Sequence, residues 1–185
     1  VWEFAKTYKL PKFIVVNGFD KENTDFDAIL AQLRDTFGTN VFPLAIPMNA
    51  GPGFNKVLDV MRSDIVTYAS DQSGKYTEEK ASGEWADRVK ELHKELIELV
   101  AESDDTLLEK FFENDSLSEE DLRGGVHTAI QNQTFIPLWV TSATQNVGIA
   151  RLMDWIAKYG SSPADRAAVV ARSEERRVGK ECATG

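Results

Sequence analysis

The chain has 185 residues, 42% of them hydrophobic and 28% charged, a globular composition rather than a disordered or fibrous one. Its formal net charge of −9 opposes a broad grip on phosphate backbones, so direct nucleic-acid binding is not expected of it. The single cysteine, Cys182, excludes an internal disulfide and a cysteine-based zinc site, and the two histidines, His93 and His127, show no metal-ligand spacing.

The opening residues, Val1-Trp2-Glu3-Phe4-Ala5-Lys6, lack an initiator methionine and the basic-then-apolar layout of a signal peptide, so a piece of a larger protein is expected. No run approaches the roughly 18 apolar residues of a membrane span, and a soluble, cytoplasmic protein is expected. At the other end, residues 172–182 resemble a translated sequencing adapter, which sets Cys182 outside the fold argument.

Trp2, Phe4, Ala5 and Tyr8 lie at helical spacing, and Phe13-Ile14-Val15-Val16 reads as a strand buried on both faces, as in a parallel sheet. Phe26, Ile29, Leu30, Leu33 and Phe37 then mark one face of an amphipathic helix, with Thr24 as the expected N-cap and Gly38 just past the end. Residues 41–45 predict a strand, and Asn49-Ala50-Gly51-Pro52-Gly53 a loop. Two short strands follow at 56–61 and 64–69, and the polar stretch 71–83 reads as a loop.

The next fifty or so residues turn helical. Trp85, Val89, Leu92, Leu96 and Leu99 line one face, and Leu107, Leu108, Phe111 and Phe112 a second helix. Ser118-Glu119-Glu120-Asp121 opens a third in the manner of a capping box, with Leu122, Val126 and Ile130 inward. Phe135-Ile136-Pro137-Leu138-Trp139-Val140 is another buried-type strand, which Pro137 weakens, and Ile149, Leu152, Met153, Ile156 and Tyr159 form a last helix. Outer strand–helix units enclosing a module of strands and then helices predict an α/β fold with an inserted α+β subdomain.

Two strand ends carry the candidate chemistry. Asn17-Gly18-Phe19-Asp20 follows the first buried-type strand, where open α/β sheets bind ligands. A carboxylate at Asp20 accepts two parallel N–H bonds from guanine N1 and N2, a pair adenine cannot supply, and Asn17 can offer its amide to the base N7 and tie neighbouring loops. Thr141-Ser142-Ala143-Thr144 follows the second strand, where small residues bring a backbone N–H, that of Ala143, within reach of guanine O6. Each spot alone also reads as an ordinary turn with a capping residue. Together, in this order, they are more specific.

The stretch from Phe13 to Asp20, continuing through Lys21-Glu22-Asn23-Thr24-Asp25-Phe26, resembles the Asn-Lys-x-Asp region of bacterial elongation factor G. Ser142-Ala143 resembles that family's second guanine-contacting motif, and the segments at 101–110 and 118–123 are similar to the insertion in its GTPase domain. The resemblance covers residues 1–163. It implies a partial P-loop-type GTPase domain: its C-terminal half beginning at 1–38, the inserted subdomain at 39–134, the last strand and helix at 135–163, and a tail at 164–185.

It further implies Asn17, Asp20 and Ala143 as base readers with Ser142 supporting the loop, GTP or GDP as ligand, and Mg²⁺ held by residues outside this chain. The parent is then a GTP hydrolase that promotes translocation of tRNA and mRNA on the ribosome, with the helix at 84–102 as the surface for the ribosomal stalk protein. Other translational GTPases, of the ribosome-protection or release-factor type, and a non-catalytic α/β interaction module remain alternatives. Two departures stand out: Gly18 replaces the family's lysine, and Gln145 a lysine often found near the second motif. No Gly-x4-Gly-Lys-Ser/Thr run cradles phosphates, and the Asp-x-x-Gly matches at 71–74 and 121–124 lie inside the insertion. The chain by itself is therefore expected to be inactive as a hydrolase.

Overall fold

The computed structural model describes residues 1–114 and 116–165. The adapter-like segment, with Cys182, lies outside them. In chain order the elements are α1 (Trp2–Thr7), β1 (Ile14–Asn17), α2 (Phe26–Phe37), β2 (Val41–Pro43), β3 (Ala45–Pro47), β4 (Lys56–Asp59), β5 (Asp64–Tyr68), β6 (Tyr76–Lys80), α3 (Glu84–Ala101), α4 (Asp105–Asn114), α5 (Glu119–Gln131), β7 (Ile136–Thr141) and α6 (Ile149–Tyr159), followed by a 3₁₀ turn at Pro163–Asp165.

The strands form two sheets. A three-stranded sheet has the order β1-β7-β2 with both pairings parallel, and a four-stranded antiparallel meander runs β3-β4-β5-β6. The chain passes from one sheet into the other at Leu44, inside the span 39–134. Its N–H donates to Leu138 O at 3.0 Å and its carbonyl accepts from Val60 N at 3.0 Å. Apolar side chains of both sheets and of α3, α5 and α6 share one core, in which Leu44, Leu58, Leu96, Val126 and Leu138 are fully buried. The architecture is thus mixed α/β, with a parallel and an antiparallel sheet.

Several expectations need correction. The first strand is not buried on both faces: Val15 is 38% exposed and Phe13 43%, and among the described residues β1 is an edge strand paired with β7 alone. The strand containing Pro137 is instead central and buried throughout. Ladder parity explains the proline. Ile136 N donates to Asn40 O and Leu138 O accepts from Leu44 N, so these positions face β2 and Pro137 faces β1. The β1 ladder begins one residue later, at Ile14 opposite Leu138, so the missing N–H breaks no rung.

The stretch read as loop at 71–83 holds β6, whose side chains are mostly exposed. An outer strand of a meander needs no apolar alternation, since its main-chain bonds to β5 hold it. The cap of α2 is Asp25, whose Oδ1 accepts Ala28 N at 3.1 Å, while the Thr24 hydroxyl donates to Lys21 O. The α5 start is as expected, with Ser118 Oγ accepting Asp121 N at 3.1 Å. The buried face of α3 is rotated from the expected one: Ile97, Val100 and Ala101 join Val89 and Leu96, while Trp85, Leu92 and Leu99 are half-buried. No helix among the described residues is long and apolar enough to cross a membrane.

Candidate functional site

Parallel pairing of β1 with β7, in the register Asn17 to Thr141, brings the two motif loops to the same sheet rim. The β1 loop is drawn onto the β7 end by Gly18 N and Phe19 N, which both donate to Thr141 O at 2.9 and 3.3 Å. Phe19, with no exposed surface, anchors this loop between the rings of Phe26 and Phe54, at centroid distances of 6.1 and 5.9 Å. The β7 loop closes on itself through reciprocal bonds between Ser142 and Val147, at 2.9 and 3.0 Å.

All four predicted site residues meet here. Asn17 Oδ1 accepts the Ala143 N–H at 2.8 Å and the Thr141 hydroxyl at 3.3 Å, so it ties the loops together as expected. The same bond engages the Ala143 amide that the resemblance implies for guanine O6, so a base has to share or displace it. Asp20 Oδ2 accepts the Thr144 hydroxyl at 3.1 Å, and Ser142 Oγ lies 3.1 Å from Thr144 Oγ1 while accepting Gln145 N at 3.2 Å. The Ser142 hydroxyl, followed by the Thr144 hydroxyl and the nearby Lys21 charge, holds the Asp20 carboxyl below the usual carboxylate range against the opposing effect of burial.

The other carboxylate oxygen, Asp20 Oδ1, is sealed from solvent and makes no hydrogen bond of regular geometry, although the Ser142 hydroxyl stands near enough to stabilise the carboxylate. A carboxylate oxygen with unused acceptor capacity is the kind of group that ligand N–H donors satisfy. Asp20 lines a cavity of about 300 Å³ together with Phe54, Asn55, Ser70, Gln145 and Val147. Asn17, Ser142 and Ala143 do not line it; Asn17 and Ala143 are exposed and Ser142 is buried.

Gly18 has φ +99°, a conformation side chains rarely adopt. A side chain at this position is strained in this backbone. The stem of Lys21 occupies the adjoining space, with Cε 3.5 Å from where a Cβ on residue 18 would stand.

A larger cavity, about 510 Å³, contains none of the predicted residues and lies against α6 and the ends of β4 and β6. Arg151 on α6, 5% exposed, lines it and ties that helix to β4 and β6. Its Nη2 is 2.7 Å from Glu78 Oε1 and 3.7 Å from Asp59 Oδ2, and its guanidinium lies over the Tyr76 ring at 5.3 Å. Burial pushes the Asp59 carboxyl up despite Arg151. No cluster of His, Cys, Asp and Glu among the described residues is arranged to hold a metal ion.

The residues that the strand-end argument did not single out are Phe19, Thr144, Gly51 and Asn146. Phe19 is apolar within a polar motif, and the others act through contacts between segments remote in sequence, so local pattern carries no signal for them.

No protein-family profile matches the chain. Among solved structures it is similar to a protein from Thermus thermophilus whose crystal structure is known, with a TM-score of 0.77 and 28% identity over 88% of this chain. The chain spans 24% of that protein's length, and the likeness supports the mixed α/β architecture.

Proposed function

We propose that this chain is the base-reading part of the P-loop-type GTPase domain of a ribosome-dependent GTPase resembling elongation factor G. The parent binds GTP or GDP with Mg²⁺ and couples hydrolysis to the movement of tRNA and mRNA, in the cytoplasm. The observation that carries the reading is the convergence at one sheet rim of Asn17, Asp20, Ser142 and Ala143, with a buried carboxylate oxygen of Asp20 that makes no hydrogen bond of regular geometry. Guanine N1–H and N2–H are donors of the right kind for that oxygen and its neighbour. Within this reading the exposed acidic positions of α3, among them Glu84, Glu91 and Glu98, are the surface offered to the ribosomal stalk protein.

The test is an amide-resolved NMR titration of the chain with millimolar guanosine and adenosine. Guanosine is expected to shift the resonances of residues 18–21 and 142–145 and adenosine to leave them in place; equal responses, or none, overturn the assignment. Steady-state phosphate release from GTP is expected to equal that of buffer, since no sequence here cradles phosphates.

One observation favours a second reading, an α/β interaction module that has lost the nucleotide. The Ala143 N–H is already bonded to Asn17, and Gly18 leaves the base plane without the family's lysine. A flat response to guanosine decides for it.

A further inference from the structure

Two loops of the antiparallel meander reach the rim where the base-reading loops lie. The turn between β5 and β6 touches the β7–α6 loop: Asn146 Nδ2 donates to Gln72 O at 3.1 Å, and Gln72 Nε2 to Gln145 Oε1 at 3.4 Å. Gly74 sits so close that a Cβ there would stand 2.6 Å from Asn146 Nδ2. Gln72 and Asn146 both have positive φ, +60° and +54°, a left-handed state that asparagine tolerates and glutamine does not favour, so the meander end of the contact is the strained one.

The second loop, between β3 and β4, reaches the other motif. Gly51 N donates to Phe19 O at 2.7 Å, the shortest backbone bond of this rim, and Phe54 packs on the Phe19 ring. This loop is stiff, because the Asn49 side chain bonds Gly53 O and Lys56 N at 3.0 and 2.9 Å. The meander is in turn braced against α6 by the Arg151–Glu78 pair. Asp20 and Gln145, one from each base-reading loop, face the cavity that these meander loops wall.

We propose that the meander is a positioning element for the base site, with Asn146, Gln72 and Gly74 setting the 143–147 loop and Gly51 setting the Phe19–Asp20 peptide. The proposal rests on the guanine reading and adds its regulation. By thermodynamic reciprocity, a partner that displaces the meander changes base affinity, and an occupied base site changes the meander's affinity for that partner.

Two variants separate the contact from the site. Asn146→Asp keeps a side chain that tolerates left-handed backbone and replaces the donor facing Gln72 O with an acceptor. Gly74→Ala pushes on the same contact from the meander side. Both are expected to weaken guanosine binding about threefold to tenfold, as loss of one hydrogen bond implies, with the urea midpoint of Asn146→Asp retained. Both should also shift the Ala143 and Thr144 amide resonances in the absence of ligand, whereas Lys90→Ala, remote on α3, leaves them in place.

Folded variants with unchanged Ala143 and Thr144 resonances overturn the positioning role. If the unsubstituted chain does not respond to guanosine, the guanine reading fails, while the ligand-free resonances of Asn146→Asp still decide whether the meander sets the loop.

Discussion

An amide at position 20 would present a donor where the carboxylate presents an acceptor. Guanine places N2–H there, whereas xanthine places a carbonyl oxygen. Asp20→Asn is therefore expected to weaken guanosine binding about tenfold to a hundredfold and to improve xanthosine binding, read by competing the two nucleosides in the same titration. The direction of the Asp20 shift also fixes its pH dependence. Its folded-state value is lowered from 3.8, so the folded, ionised site is favoured above 3.8 and loses that advantage only as pH falls through the lowered value. Guanosine affinity is expected to stay flat from neutral pH down to about 4, a profile that a titration series from about pH 7 to about 3.5 checks. The two polar strand ends that hold Asn17, Asp20, Ser142 and Ala143 were legible because a buried-type strand followed by a turn is a local pattern. That Ala143 would spend its N–H on Asn17 was not, because the two residues are 126 positions apart.

At the scale of elements, the two parallel-type strands look alike in sequence and differ in the fold. β7 lies between neighbours and is buried along its length, while β1, among the described residues, has one neighbour and an exposed face. Leu138→Ala removes a fully buried side chain and is expected to cost about 2–5 kcal/mol, whereas Val15→Thr at a 38%-exposed position should change stability by no more than about 0.5 kcal/mol, both measured by urea unfolding. An apolar run reports that a strand can be buried and not whether anything flanks it, which is why β1 read as the buried strand and β7 as the weaker one. The same limit hid β6. Its Tyr76-Thr77-Glu78-Glu79-Lys80 sequence has no apolar alternation because it is held by ladder bonds to β5. Helices α2, α5 and α6 were legible, since their apolar spacing is a property of one segment, and the Ser118 cap of α5 was legible with it.

The whole molecule is two sheets sharing one core, and Arg151 is a buried charge that ties α6 to the antiparallel sheet. Arg151→Met leaves Asp59 without its guanidinium in a buried setting, and a loss of about 3–5 kcal/mol is expected by urea unfolding at neutral pH. Burial already raises Asp59 above 3.8, so its charged form is the costly one. The folded state gains from protonation at low pH and loses that gain as pH rises through the raised value. The deficit of Arg151→Met should accordingly shrink as pH falls toward 3.8.

By itself the sequence determined most of the elements and their order and marked two strand ends whose polar residues come together, because side-chain periodicity and turn propensity act within a few residues. Only the tertiary structure decided which strand is central, where the chain crosses between sheets and which meander loops brace the rim. Those follow from pairing and burial between segments far apart in the chain, which no local pattern encodes.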